Sequence, residues 1–177
     1  MEIIRAKHMG FCFGVSGAIE TCYNVLKESE NYGKKIYILG MLVHNEYVVK
    51  KLEKEGFEII EEEDILEKKD KLKDGDVVII RAHGTSEKVY NILKEKNIKI
   101  YDATCIFVTQ IRKTLIEMEK KGYEILFVGD KEHPEVKGII SFGKNIRVFK
   151  NLEEITKAEI DRDKKYCLLT QTTLNKK

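Results

Sequence analysis

Only one proline, Pro134, interrupts the 177 residues, and no Ser/Gly-rich stretch occurs. The chain therefore has no flexible linker, and any two domains within it must abut closely. No apolar run approaches the roughly 20 residues that span a bilayer, and the opening Met1-Glu2-Ile3-Ile4-Arg5 lacks the apolar core of a signal peptide. We expect a cytoplasmic protein with no membrane partner. Net charge is also scarce, a formal +2 with Lys and Glu interspersed, which argues against nucleic acid as a partner. Neither Gly-x-Gly-x-x-Gly nor Gly-x-x-x-x-Gly-Lys-Ser/Thr follows any predicted strand, so a nucleotide-binding domain of unrelated function ranks last. Cysteines number four, Cys12, Cys22, Cys105 and Cys167, with no Cys-x-x-Cys among them. In a reducing compartment they read as thiols, ligands or core residues instead of disulfides. A classical zinc site lacks its compact second ligand pair.

What is present is 42% apolar content, enough to fill a core. Short β-branched runs alternate with amphipathic stretches, the pattern of a parallel sheet covered by helices, so the fold class is α/β. Strands are predicted at Glu2–Lys7, Ile36–Leu39, Phe57–Ile60, Val77–Ile80, Lys99–Asp102, Glu124–Val128, Ile146–Phe149 and Tyr166–Thr170. Val15, Ala18, Ile19, Cys22, Val25 and Leu26 recur at helical spacing, as do Phe107, Ile111, Leu115 and Met118. Gly33, Gly56 and Gly122 each stand between a predicted helix and a strand, where a left-handed residue ends the helix. The acidic run Glu61–Asp64 reads as a solvated turn, with a favourable charge at a following helix N-terminus as the alternative.

The loop residues repeat. A strand ends at Gly-Phe-Cys12, a helix follows, and later strands end at His44 and His83; then a strand ends at Ala-Thr-Cys105, a helix follows, and later strands end near His133 and Thr172. Cysteine to first histidine spans 32 positions in one half and 28 in the other; cysteine to last loop spans 71 and 67. The pattern predicts two copies of one three-layer αβα unit, residues 1–103 and 104–177.

Ligands of open parallel sheets bind beyond the carboxyl ends of the strands, where Cys12, His44, His83, Cys105, His133 and Thr172 all fall. Cys12 and Cys105 each precede a helix, and a helix N-terminus favours the thiolate that binds soft metals and iron–sulfur clusters. Two small core hydrophobes are the other reading. Cys22 and Cys167 lie on an apolar stripe and within a strand, and read as core. His44 and His83 end strands ahead of helices whose free N–H groups suit an anion, although Gly84, Ser86 and Glu87 also fit simple capping. His133-Pro134-Glu135 brings an imidazole and a carboxylate within one turn, as a proton relay needs, or forms an ordinary cap. Hydroxyls of Thr170-Gln171-Thr172-Thr173 bind a substrate alcohol or cap a turn. His8 has no such setting and reads as a surface or packing residue.

The ordered set Gly10-Phe11-Cys12-Phe13-Gly14-Val15, Val43-His44-Asn45, Ala82-His83-Gly84, Asp102-Ala103-Thr104-Cys105, His133-Pro134-Glu135-Val136 and Thr170-Gln171-Thr172-Thr173-Leu174 resembles the 4-hydroxy-3-methylbut-2-enyl diphosphate reductase family over essentially the whole chain. The resemblance implies a trefoil of three α/β units around a [4Fe–4S] cluster, one cysteine from each. It implies Cys12 and Cys105 as cluster ligands, His44 and His83 as diphosphate ligands with His133 contributing to the same pocket, and Glu135 as proton donor to the departing hydroxyl, with Thr172 hydrogen-bonding that hydroxyl or the acid. The implied reaction is a reductive dehydroxylation of the allylic diphosphate to isopentenyl and dimethylallyl diphosphate, driven by an external donor such as ferredoxin or flavodoxin. Two units are recognisable, and the chain stops where a third, with the third cysteine, is expected. A cluster held by two thiolates should be labile, so a fragment of the reductase is expected, with a non-catalytic diphosphate-binding module as the alternative.

Overall fold

The computed structural model describes residues 2–7, 9–29, 33–67 and 71–174. In chain order these form α1 (Phe13–Ser29), β1 (Ile36–Leu39), α2 (Glu46–Lys54), β2 (Glu58–Ile60), α3 (Glu62–Leu66), β3 (Val77–Ile80), α4 (Glu87–Glu95), β4 (Lys99–Asp102), α5 (Ile106–Lys120), β5 (Glu124–Val128), α6 (Pro134–Ile140), β6 (Ile146–Phe149), α7 (Leu152–Lys157) and β7 (Tyr166–Thr170). Every strand pairing is parallel, in two sheets of order β2-β1-β3-β4 and β6-β5-β7. Parallel neighbours require crossover connections, and the helices between strands supply them.

Strand alternation divides the first sheet's core in two. Ile36, Ile38, Val77 and Ile79 pack with Ala18, Cys22 and Val25 of α1 and with Val48 and Leu52 of α2. Tyr37, Leu39, Val78 and Ile80 face the other way, against Ile65 of α3 and Val89, Ile92 and Leu93 of α4. Burial on both faces explains why β1 and β3 are apolar at every position. In the second sheet Ile125 and Phe127 meet Val108 and Leu115 of α5 and Val136 and Ile139 of α6. On the opposite face Arg147 donates to Glu159 O at 2.9 Å and lies over the rings of Phe149 and Tyr166.

Gly33, Gly56 and Gly122 take φ values of 59°, 99° and 80°, the left-handed conformation expected of residues that follow helices. One expected strand is not formed. Residues 2–7 take no regular structure and are exposed, with Ile3 and Ile4 open to solvent, and pair with neither sheet. Alternating apolar residues make a strand only where a neighbour takes up their N–H and C=O groups, and none does so among the described residues.

The layers around the two sheets meet where the loop before α4 packs on α6. A Cβ at Gly138 would lie 3.3 Å from Thr85 O and 3.5 Å from Thr85 N, so glycine permits that approach. Ser141 Oγ, just past α6, accepts the Glu87 N–H at 2.9 Å at the start of α4.

Candidate functional site

The carboxyl ends of β1, β3 and β5 each deliver a histidine. His44 and His83 have ring centroids 4.5 Å apart, and His133 stands 6.1 Å and 5.5 Å from them. Asn45 holds the first of these loops by capping α2, its Oδ1 accepting the Val48 N–H at 3.2 Å. His133 is itself the N-cap of α6: its Nδ1 accepts the Glu135 N–H at 3.2 Å, with Pro134 in the first turn. Capping and clustering are thus compatible for this residue. Ser86 does not cap α4; its hydroxyl donates to Glu62 Oε1 at 2.8 Å.

Burial, with the neighbouring His44 and His133 and then Arg81 adding to it, pulls the His83 pKa down to about 4. That ring is neutral in the free protein at ordinary pH. The three rings offer ligand atoms within 4.8 Å of one another, close enough for a metal ion. Against a metal, His133 already uses the Nδ1 lone pair, so its neutral ring keeps the proton on Nε2 and presents a donor. Three imidazoles that donate, or become cationic on binding, suit an anion.

Glu135 follows within the same turn of α6 and is only 1% exposed. Both of its oxygens are engaged by one residue: Thr172 N–H donates to Oε1 at 2.7 Å and Thr172 Oγ1 to Oε2 at 2.6 Å. Gln171, singled out by sequence only as part of a hydroxyl-rich turn, is buried and links this pair to the histidine loop. Its Oε1 accepts the Asp130 N–H at 3.0 Å and its Nε2 donates to Thr173 Oγ1 at 2.9 Å, while His133 N–H donates to Asp130 O at 2.9 Å.

Cys12 and Cys105 occupy matching positions immediately before α1 and α5, each carbonyl accepting a first-turn N–H, from Ser16 at 3.0 Å and Thr109 at 2.9 Å. Gly14 brings them together. A Cβ there would stand 2.8 Å from Cys105 Sγ and 4.0 Å from Cys12 Sγ, so both thiols converge on a space that only glycine leaves open. Two thiols at helix N-termini around a cradle that Gly14 keeps clear of a Cβ fit an iron–sulfur or other soft-metal group. The Cys105 N–H donates to Ala82 O at 2.9 Å, tying the turn to the residue before His83. Asp102 shapes the same turn by accepting from Thr104 N at 3.0 Å and from Thr104 Oγ1. Phe11, Val15, His44 and His83 line one cavity of about 280 Å³, so the cysteine and histidine loops share a space.

Cys22 is fully buried, and burial pushes its thiol pKa up to about 12; a protonated core thiol is no ligand. Cys167 is partly buried against the α5–α6 core, and burial raises its pKa too. His8 lies outside the described residues.

A parallel α/β fold with paired thiols and clustered imidazoles beyond its strand ends defines a class of arrangement: imidazoles suited to an anion beside thiols suited to a soft metal. The particular family follows from comparison, since the model of the LytB protein family matches residues 3–177, and the chain belongs to that family. It is 56% identical over 177 residues to the 4-hydroxy-3-methylbut-2-enyl diphosphate reductase of Fusobacterium nucleatum subsp. nucleatum, covering 100% of this chain and 21% of the relative. It is 42% identical over 178 residues to the same-named protein of Thermoanaerobacter sp. strain X514, covering 100% and 59%. The structure of the E-1-hydroxy-2-methyl-but-2-enyl-4-diphosphate reductase from Plasmodium falciparum superposes with a TM-score of 0.83 at 36% identity, covering 95% of this chain and 50% of that one. A solved (E)-4-hydroxy-3-methyl-but-2-enyl diphosphate reductase, the terminal enzyme of the non-mevalonate pathway, gives 0.78 at 35% identity, covering 98% and 59%. The chain thus spans from 21% to 59% of the length of the two curated relatives named.

Proposed function

We propose that this chain supplies two of three αβα units, residues 1–103 and 104–177, of a cytoplasmic 4-hydroxy-3-methylbut-2-enyl diphosphate reductase. Most of the support comes from one feature: on a single turn of α6, His133 joins the imidazole cluster while buried Glu135 is held at both oxygens by Thr172. An anion site and a proton-transfer pair are thereby adjacent.

In this reading His44, His83 and His133 bind the diphosphate, with Nε2–H of His133 as one fixed donor. Cys12 and Cys105 hold a [4Fe–4S] cluster whose third thiolate comes from a further unit. Bound there, the cluster would relay electrons from an outside donor and offer a Lewis-acidic iron, which no side chain can. Glu135 delivers a proton toward the allylic oxygen, directly or through the Thr172 hydroxyl, which can both accept and donate. The C–O bond breaks, water leaves, and two electrons from an external donor such as ferredoxin or flavodoxin, with two protons, balance the conversion to isopentenyl or dimethylallyl diphosphate.

The test is anaerobic turnover of the allylic diphosphate by the full-length protein with a chemically reduced viologen. Glu135→Gln should lower kcat by about 100-fold or more, the usual range for a lost general acid, and leave affinity for inorganic pyrophosphate unchanged. Undiminished turnover in this variant would remove Glu135 from the proposal. Pyrophosphate binding without visible iron–sulfur absorbance would favour a non-catalytic diphosphate-binding module.

A further inference from the structure

The loop carrying His83 is anchored by side chains from a run that reads, in sequence, as a solvated turn. Arg81 is the first residue beyond β3. Its Nε donates to Gly84 O at 3.3 Å, and its Nη2 donates to Glu62 Oε2 at 3.2 Å. Its Nη1 lies 2.7 Å from where a Cβ of Gly40 would stand, so the glycine ending β1 makes room for the guanidinium. The second oxygen of Glu62, at the head of α3, accepts from Ser86 Oγ at 2.8 Å. One carboxylate therefore grips both flanks of His83, two residues upstream and three downstream. Arg81 and Glu62 side chains are only 15% and 21% exposed. A planar pair shielded to this degree holds geometry better than a surface pair does.

The segment has need of such a hold. Gly84, at φ 77°, sits in its middle, and its far side rests on Gly138 of the helix that carries His133. The Glu62–Arg81 pair on one side and α6 on the other fix where the His83 ring stands relative to His133. Arg81 does not serve as a free cation for a ligand, because Glu62 faces its charge.

We propose that Arg81 and Glu62 are positioning residues for His83, setting the 81–86 loop so that the ring joins His44 and His133 in binding a diphosphate. The proposal rests on the diphosphate reading of the histidine cluster. Burial first, then His44, His133 and last Arg81 hold the His83 pKa down, so the guanidinium stands near enough to the ring to be felt there.

Two readouts on the full-length protein separate the possibilities: NMR titration of His83 without ligand, and calorimetric affinity for inorganic pyrophosphate. Arg81→Gln should raise the His83 pKa and weaken pyrophosphate binding by about tenfold, within the range for coupled contacts. Glu62→Gln, close to isosteric, should weaken binding in the same direction, and the double variant should be no weaker than Arg81→Gln alone. Arg81→Lys keeps the charge but loses the fork, and should restore the pKa without restoring affinity. Unchanged pyrophosphate affinity in folded Arg81→Gln with the His83 ring signals unshifted, or additive losses in the double variant, would overturn the proposal. If His83 responds as stated but the unaltered protein ignores pyrophosphate, the diphosphate reading fails and the positioning role stands.

Discussion

His83 is the residue whose environment departs most from water among the site histidines. Its pKa of about 4 lies below the ordinary 6.5, so between these values the unfolded chain binds a proton that the folded chain refuses. By linkage the His83 contribution to stability falls as pH drops from 6.5 toward 4, and is constant above 6.5. Thermal unfolding across that range, compared with His83→Asn, should show a shallower acid loss in the variant. A bound anion reverses the preference by stabilising the protonated ring, so pyrophosphate affinity should gain more on acidification in the unaltered protein than in His83→Asn. Parallel pH profiles for binding would place His83 outside the anion site.

Residue types were legible where chemistry needs a rare side chain. Cys12, Cys105, the three histidines and Thr172 stand out in sequence by their placement at strand ends, whereas a contact between Thr172 and Glu135 is implied only by the family resemblance. Gln171, Arg81 and Glu62 did not, since their importance lies in bonds to groups 41, 3 and 24 positions away. Nothing local in Glu61–Asp64 tells that one carboxylate turns inward while Asp64 meets Lys71 at 2.5 Å.

At the scale of elements, strands β1 and β3 announce themselves because burial on both faces calls for large apolar side chains at every position. Residues 2–7 hold Ile3 and Ile4 among three charged residues and form no strand, because pairing, unlike propensity, belongs to the neighbour. The approach of α1 to the head of α5 depends on Gly14. Alanine there would crowd Cys105 Sγ at 2.8 Å, yet in a helix alanine is more favourable than glycine by about 1 kcal/mol. We expect Gly14→Ala to keep or raise the melting temperature while lowering the iron incorporated on anaerobic reconstitution. A variant that incorporates iron normally would show that the thiols need not converge on that space. Gly138→Ala is expected to act on the other junction, weakening pyrophosphate binding several-fold as α6 is forced off Thr85, the sort of strain seen with overpacking; unchanged affinity would show that the loop yields freely.

Across the whole molecule, Phe11, Phe13, Ile106 and Phe107 are all exposed beside the two cysteines, and Leu168 is exposed on β7, an edge strand of the second sheet. Exposed apolar side chains such as Phe13 and Phe107, whose rings lie 6.0 Å apart, normally meet another protein surface, and the third unit proposed for the longer protein is the expected occupant. The isolated 177-residue chain should therefore bind a hydrophobic dye or self-associate with rising concentration, whereas the full-length protein should do neither. A monomeric isolated chain without dye uptake would speak against a missing neighbour. The central claim is that Cys12 and Cys105 serve one metal group. It is tested most directly by anaerobic iron–sulfur reconstitution of the full-length protein, reading iron per chain and visible absorbance for the unaltered protein, Cys12→Ala, Cys105→Ala and, as control, Cys22→Ala. The account predicts a stable cluster that each of the first two substitutions abolishes and the third spares; a cluster that survives the loss of both Cys12 and Cys105 would contradict it.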